Sequence, residues 1–331
     1  MEILKKVPSI DFVGRKKRIP AMVLSAVLLL ASVLSLGIKG MNLGIDFTGG
    51  FLIEVGYPEA VELEEVRGTL QEAGYEDFVV STFGTDREIL IRLPPVAVPE
   101  QQIDEDTGMD EQAEAQAEVS DRILAALQAA DDRVEMRRVE FVGPQVGQEL
   151  VEQGALAVLF ALIGILIYVA FRFQYKMAPG AIACLVHDVL IVVGVFSLFQ
   201  IQFDLSVLAA LLAVIGYSLN DTIVLFDRVR ENFPKMRKAD TVEVINRSVN
   251  QMLSRTIVTS GTTLLVLFCL LQFGGEVIFG FALALTLGVI VGTYSSIYVA
   301  GTTLVLTRLE REDLLPPKKD EEESAYVSDS P

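Results

Sequence analysis

The stretch AVIGYSLNDTIVLFDRVRENF, residues 213–233, begins as an apolar membrane-type helix and then sets Ser218, Asn220, Asp221 and Thr222 inside it before apolar character resumes. The apolar run ends at Asp227. At 1.5 Å per residue, Asp221 lies roughly 9 Å inside the lipid boundary. An ionised group at that depth costs about 2.5–3.5 kcal/mol on insertion scales, so a carboxyl group kept there is a functional candidate by default.

Working outward, apolar runs occur at 19–38, 155–171, 178–199, 205–226, 256–272 and 277–306. Each is long enough to span a hydrocarbon core of about 30 Å, and the last is over-long for it. Half of the 331 residues are hydrophobic and mean hydropathy is +0.46, while 21% are charged. Apolar and charged residues are therefore segregated. The expected fold is an α-helical polytopic membrane protein with six transmembrane helices and one exported α+β domain between helices 1 and 2. Its expected divisions are an N-terminal tail at 1–18, helix 1 at 19–38, the exported domain at 39–150, helices 2–6 within 151–307, and a C-terminal tail at 308–331.

Lys5, Lys6, Arg15, Lys16, Lys17 and Arg18 precede the first run, Arg172 and Lys176 lie in the 172–177 loop, and seven more basic residues fall in 227–255. The alternate short loops, 200–204 and 273–276, carry none. The basic excess places both termini in the cytoplasm and 39–150 outside; the long segment's own basic residues do not oppose this, because long loops translocate largely regardless of charge. The first run exceeds the roughly 7–15 residues of a signal-peptide core and no A-x-A-like site follows, so helix 1 is expected to remain. Cys184 and Cys269 both lie in apolar runs, which implies no disulfide framework, and a single histidine gives no His-rich metal cluster.

Segment 39–150 holds 25 acidic and 8 basic residues, a net −17 equal to the formal charge of the whole chain. Such a surface repels nucleic acid and anionic headgroups and keeps a domain soluble. FLIEVGY (51–57), FVVSTFG (78–84), REILIRLP (87–94) and RVEMRRVEFVG (133–143) read as strands, and 59–74 and 110–130 as helices. The order βαββαβ is that of a ferredoxin-like split unit. The Pro-rich, acidic stretch 94–110 reads as a mobile insertion, and the tail after Leu315 as disordered.

Three polar interruptions carry the candidate chemistry. His187 and Asp188 sit mid-span in the third helix. Tyr217, Asn220 and Thr222 accompany Asp221 in the fourth. Arg255 opens the fifth, with Thr259, Thr262 and Thr263 following on its face. Asp221 and Arg255 lie near the same end of adjacent spans, where a pair compensates charge. Proton or ion coupling and a static ion pair both fit this pattern, and desolvation makes a buried pair weak evidence for stability. For His187 beside Asp188, a satisfied structural pair is the plainer reading. Gly288 and Gly292 form a GxxxG face on which a helix of the same chain can pack closely.

GIDFTGG (44–50) after the first helix, GPQVGQEL (143–150), HDV in the third helix, GYSLNDTIVLFDRVREN across the fourth and RSVNQMLSRTIVTSGTT (247–263) entering the fifth together resemble SecF. That is the smaller partner of the SecD–SecF protein-export complex, in the resistance–nodulation–division superfamily. The resemblance runs from about residue 10 to 310. It implies a cytoplasmic (inner) membrane subunit that, with a SecD-like subunit beside the SecYEG channel, uses the proton-motive force to assist late steps of preprotein translocation after the motor SecA. It further implies Asp221 and Arg255 as the proton-coupling pair, Asp46, Phe47, Gly49 and Gly50 as the signature after helix 1, and YajC as a small accessory partner. No cofactor is implied beyond the coupling ion, H⁺ or in some members Na⁺. The insertion at 94–110 is longer than that pattern leads one to expect.

Other classes fare worse. One histidine excludes an HExxH metalloprotease, SLND is no GxGD, and IVTSG lacks the first glycine of a rhomboid GxSG. A proton-driven small-molecule efflux subunit of the same superfamily is the runner-up, since its coupling chemistry would look alike, and fold kinship alone names no substrate. A passive scaffold should tolerate neutralisation of Asp221.

Overall fold

The computed structural model describes residues 9–75, 77–95, 108–310 and 312–314. Most of the acidic insertion at 94–110, the tail beyond Leu315, and Lys5 and Lys6 lie outside the described residues. In chain order the elements are α1 (Arg15–Lys39), α2 (Ile45–Thr48), β1 (Gly50–Gly56), α3 (Leu63–Glu72), β2 (Val79–Phe83), β3 (Thr85–Leu93), α4 (Gly108–Ala130), β4 (Glu135–Val142), α5 (Pro144–Arg172), α6 (Ala178–Phe199), α7 (Leu205–Lys235), α8 (Thr241–Phe273) and α9 (Glu276–Leu306).

Helices α1 and α5–α9 each contain one of the six apolar runs and are long and apolar enough to cross a membrane. α7 and α9 form the centre of the bundle; α6 packs on both, α1 lies on α6, and α8 lies on α7 and α9. Two helices outrun the apolar segments that announced them. α7 continues to Lys235, and α8 starts at Thr241, capped by the Asp240 side chain, which accepts from the Glu243 N–H at 2.7 Å. Arg255 therefore stands in the interior of α8 rather than at its start. Beyond the membrane boundary a one-sided apolar stripe takes over: Val244, Ile245, Val249 and Met252 of α8 are buried in one cluster with Val229 and Phe233 of α7 and Leu309. A count of uninterrupted apolar residues does not register that stripe.

The four strands form one sheet in the order β2-β3-β1-β4, with every neighbouring pair antiparallel. This is the strand order of the ferredoxin-like split unit expected from βαββαβ. Alternation in β1 and β3 turns Ile53, Val55, Ile89 and Ile91 into a core with Val66 and Leu70 of α3 and Ile123 and Leu127 of α4. The opposite face, with Leu52, Glu54, Leu90 and Arg92, looks onto the loop between α6 and α7 across a cavity of about 560 Å³.

Candidate functional site: a membrane polar core and its joint to the domain

The GIDFTGG segment forms α2 and the turn into β1. Gly49 and Gly50 have φ of 69° and 114°, and a β-carbon on Gly50 would stand 2.2 Å from the Leu93 carbonyl oxygen. Only glycine suits that conformation and that approach. Asp46 Oδ2 accepts the Leu205 N–H at 3.0 Å, in the first turn of α7. The helix dipole favours a carboxylate there. Phe47 packs on Phe203 with ring centroids 6.1 Å apart, and the Gly44 N–H donates to the Phe203 carbonyl at 2.8 Å. From the sheet, Arg92 donates to Asn42 Oδ1 at 3.0 Å, the Leu43 carbonyl at 3.1 Å and Gln202 Oε1 at 2.9 Å. Burial lowers its pKa from the ordinary guanidinium value, which still leaves it charged at neutral pH. The signature is thus a joint between α1, the sheet and the α6–α7 loop.

Inside the bundle, Asp188 is buried at the meeting of α6, α7 and α9. Its Oδ2 accepts from Ser218 Oγ and, at 2.7 Å, from Ser295 Oγ; its Oδ1 lies 2.8 Å from His187 Nδ1. His187 Nε2 lies 3.1 Å from Ser25 Oγ on α1. Ser25 Oγ in turn lies 3.1 Å from the Tyr294 hydroxyl, which donates to the Ala21 carbonyl at 2.6 Å. Each polar group in this cluster has a partner.

Asp221 stands apart. It is only 3% exposed, three residues along α7 from Ser218, and Oδ2 has no hydrogen-bond partner among the described residues. The expected pairing with Arg255 is not formed in this structure. Arg255 is exposed, and no ion pair or hydrogen bond joins the two side chains among the described residues. The hydroxyls expected around the acid are turned elsewhere. Thr259 Oγ1 donates back to the Arg255 and Thr256 carbonyls, and Thr262 and Thr263 likewise bond carbonyls of their own helix. The Tyr217 hydroxyl reaches Ser260 Oγ at 3.4 Å, Asn220 is exposed, and Thr222 is buried on the side of Cys184. Asp227 is bonded to Arg172 at 2.5–2.6 Å, an interfacial ion pair between α5 and α7. Gly288 and Gly292 of α9 lie against Val214 and Ser218 of α7.

Residues 122–310 match the family described as protein export membrane protein SecD/SecF, C-terminal, and residues 34–57 match the SecD/SecF GG motif, which contains the joint at Asp46–Gly50. A curated relative from Pseudomonas aeruginosa, protein translocase subunit SecF, is 52% identical over 95% of this chain and 96% of its own. The chain belongs to the SecF family. A second SecF, from Vibrio alginolyticus, is 46% identical over 98% of both chains. Among solved structures, SecDF from Thermus thermophilus, described as a translocon-associated membrane protein, superposes with a TM-score of 0.75 at 38% identity. That match covers 92% of this SecF-family chain and 39% of the length of the SecDF chain.

Of the residues singled out from the sequence of this SecF-family member, the structure brings His187 and Asp188 together and keeps Asp221 and Arg255 unpaired. Sequence reasoning passed over Ser25, Tyr294 and Ser295, which complete the Asp188 cluster. The serines of the first apolar run, Ser25, Ser32 and Ser35, and the TYSS run at 293–296 were the available signals.

Proposed function

We propose that this chain is the SecF subunit of a preprotein translocase, set in the cytoplasmic membrane with both termini inside. In this reading it pairs with a SecD-like subunit beside the SecYEG channel and draws on the proton-motive force. The observation that carries the coupling is Asp221: a carboxyl group buried at membrane depth with an oxygen to which no described group hydrogen-bonds. A buried acid without partners is costly when charged. Proton uptake and release at Asp221 therefore changes its interaction with Arg255: release draws the two together, uptake lets them part, and the unpaired arrangement described above is one of the two. Because Asp46 is bonded to the start of the same α7, a shift in this helix reaches the α+β domain.

Exposure of Asn220 on α7 and of Arg255 on α8 supports the partner. Lipid is a poor neighbour for either. A second polytopic chain covering that side supplies polar partners, in keeping with the SecDF chain, of which this sequence spans 39%.

The test is preprotein translocation into inverted vesicles at matched protein levels, with and without an uncoupler, and with Na⁺ exchanged for K⁺. Asp221→Asn is expected to leave the complex assembled and abolish the uncoupler-sensitive share of export. Asp221→Glu should keep part of it, and Arg255→Met should resemble the Asn variant. Full uncoupler-sensitive stimulation in Asp221→Asn would make the acid structural. Loss of stimulation on removing Na⁺ alone would name sodium as the coupling ion.

A further inference from the structure

The cluster around His187 admits a proton count. The Tyr294 hydroxyl has one proton, and it is given to the Ala21 carbonyl at 2.6 Å. The assignment that gives every contact in the cluster a proton fills the 3.1 Å contact between Tyr294 and Ser25 with the Ser25 proton. Ser25 has no second proton for His187, so the 3.1 Å contact between Ser25 Oγ and His187 Nε2 requires an N–H on Nε2. Oδ2 of Asp188 is occupied as acceptor by Ser218 and Ser295, which leaves Oδ1 facing His187 Nδ1 at 2.8 Å. Two lone pairs repel at that distance, so a further proton lies between them, on one atom or the other. His187 and Asp188 together hold one proton more than a neutral imidazole and a carboxylate.

We propose that the His187–Asp188 pair is a second proton-binding site of the membrane domain, separate from Asp221, whose occupancy sets the hydrogen bond between α9 and α1. Loss of the shared proton leaves one on the imidazole, which must sit on Nδ1 to face the carboxylate. Nε2 then becomes an acceptor, Ser25 turns to donate to it, and Tyr294 turns to donate to Ser25. The Ala21 carbonyl is released. α1 runs on to Gly40 and the joint at Asp46, so the site acts on the element that leads into the domain. The remaining polar or titratable groups nearby are Cys184, whose thiol donates to the Ser295 carbonyl, Tyr298, whose ring lies 5.1 Å from that of Tyr294, and Asp221 one turn along α7 from Ser218. Among the described residues of α1, Ser25 is the one hydrogen-bonded to the pair.

The chain contains one histidine, so ¹⁵N-histidine labelling of the full-length protein in lipid nanodiscs gives a single pair of ring resonances. Nε2 is expected to carry a proton while the pair holds its shared proton and to lose it in one step when that proton is released as pH rises. Tyr294→Phe removes the bond that proton release must break, so this variant is expected to give up the proton more readily than the parent protein. Asp221→Asn should leave the transition in place, whatever it does to export. An Nε2 unprotonated throughout, or protonated throughout, overturns the proposal, and so does a transition that vanishes in Asp221→Asn, because the histidine would then only report the other acid.

Discussion

The Leu205 N–H donates to the Asp46 carboxylate at 3.0 Å, so α7, the helix of Asp221, is bonded at its first residue to the segment that leads into the sheet. Asp204 caps the same helix, accepting from the Val207 N–H at 2.9 Å. Two carboxylates thus serve one helix start, but only Asp46 ties it to another part of the chain.

Asp46→Ala is expected to cost about 1 kcal/mol of stability, the usual loss for a side chain serving a helix N-terminus, and to lower translocation by more than the fall in protein level accounts for. Asp204→Ala should cost a similar amount of stability with little further loss of export. Equal export in both variants at matched levels would remove Asp46 from the coupling route.

A β-carbon on Gly288 would stand 2.1 Å from Val214 Cγ2, whereas one on Gly292 would stand 3.1 Å from Ser218 Cβ. Gly288→Ala should therefore destabilise by about 1–3 kcal/mol, as overpacking does, and Gly292→Ala by less. Val214→Ala should recover much of the loss in the double variant. Thermal denaturation in detergent measures all four proteins, and no recovery would place the strain elsewhere.

Residues 40–145, expressed alone, should unfold cooperatively in urea, since the core of Ile53, Val55, Ile89, Ile91, Ile123 and Leu127 is closed within the sheet and its two helices. The fragment should not support translocation. A broad, non-cooperative transition by circular dichroism would show that the sheet depends on the joint.

Lys176 donates to Asp313 Oδ2 at 2.7 Å, holding the chain after α9 against the α5–α6 loop. Burial pushes the Asp313 carboxyl up, but bonds from Lys176 and the Glu310 N–H outweigh it and hold its pKa below the ordinary value. Its contribution is present above the unfolded carboxylate pKa of about 3.9 and is lost as pH falls through the lower folded value. The hydrogen bond to Asp313 raises Lys176, so that contribution is lost only as pH rises past its folded value, above about 10.4. A spin label at Glu312→Cys, on a Cys269→Ser background, should be ordered at neutral pH and become mobile only when acid takes the pH below the ordinary carboxylate range. In Asp313→Asn it should be mobile at both.

Six spans and a βαββαβ domain were readable because both rest on periodicity and length, which a sequence displays directly. Val55, Ile53 and Phe51 alternate with Glu54 and Leu52, and the strand order follows from that pattern with two intervening helices. The polar core was readable only as a set of depths. Asp188 and Asp221 look alike in sequence, each a lone acid in an apolar helix. Packing separates them: Ser218 and Ser295 arrive from two other helices to saturate Asp188, and no described hydrogen-bond donor reaches Asp221 Oδ2. Arg255 was placed at a helix start because apolar character begins there, although the helix had begun at Thr241 under a different, one-sided pattern.

The chain enters the domain through β1 and leaves it through β4, and these strands are neighbours, with Gly50 paired to Val142 just before Pro144 opens α5. The doorway between membrane and domain is one strand spacing wide, about 4.8 Å. The domain is therefore grafted onto the bundle as a cassette rather than threaded through it. A head of another shape exchanged at Gly50 and Val142 would leave every membrane helix at its present length and aim, provided that it kept an arginine where Arg92 grips the loop.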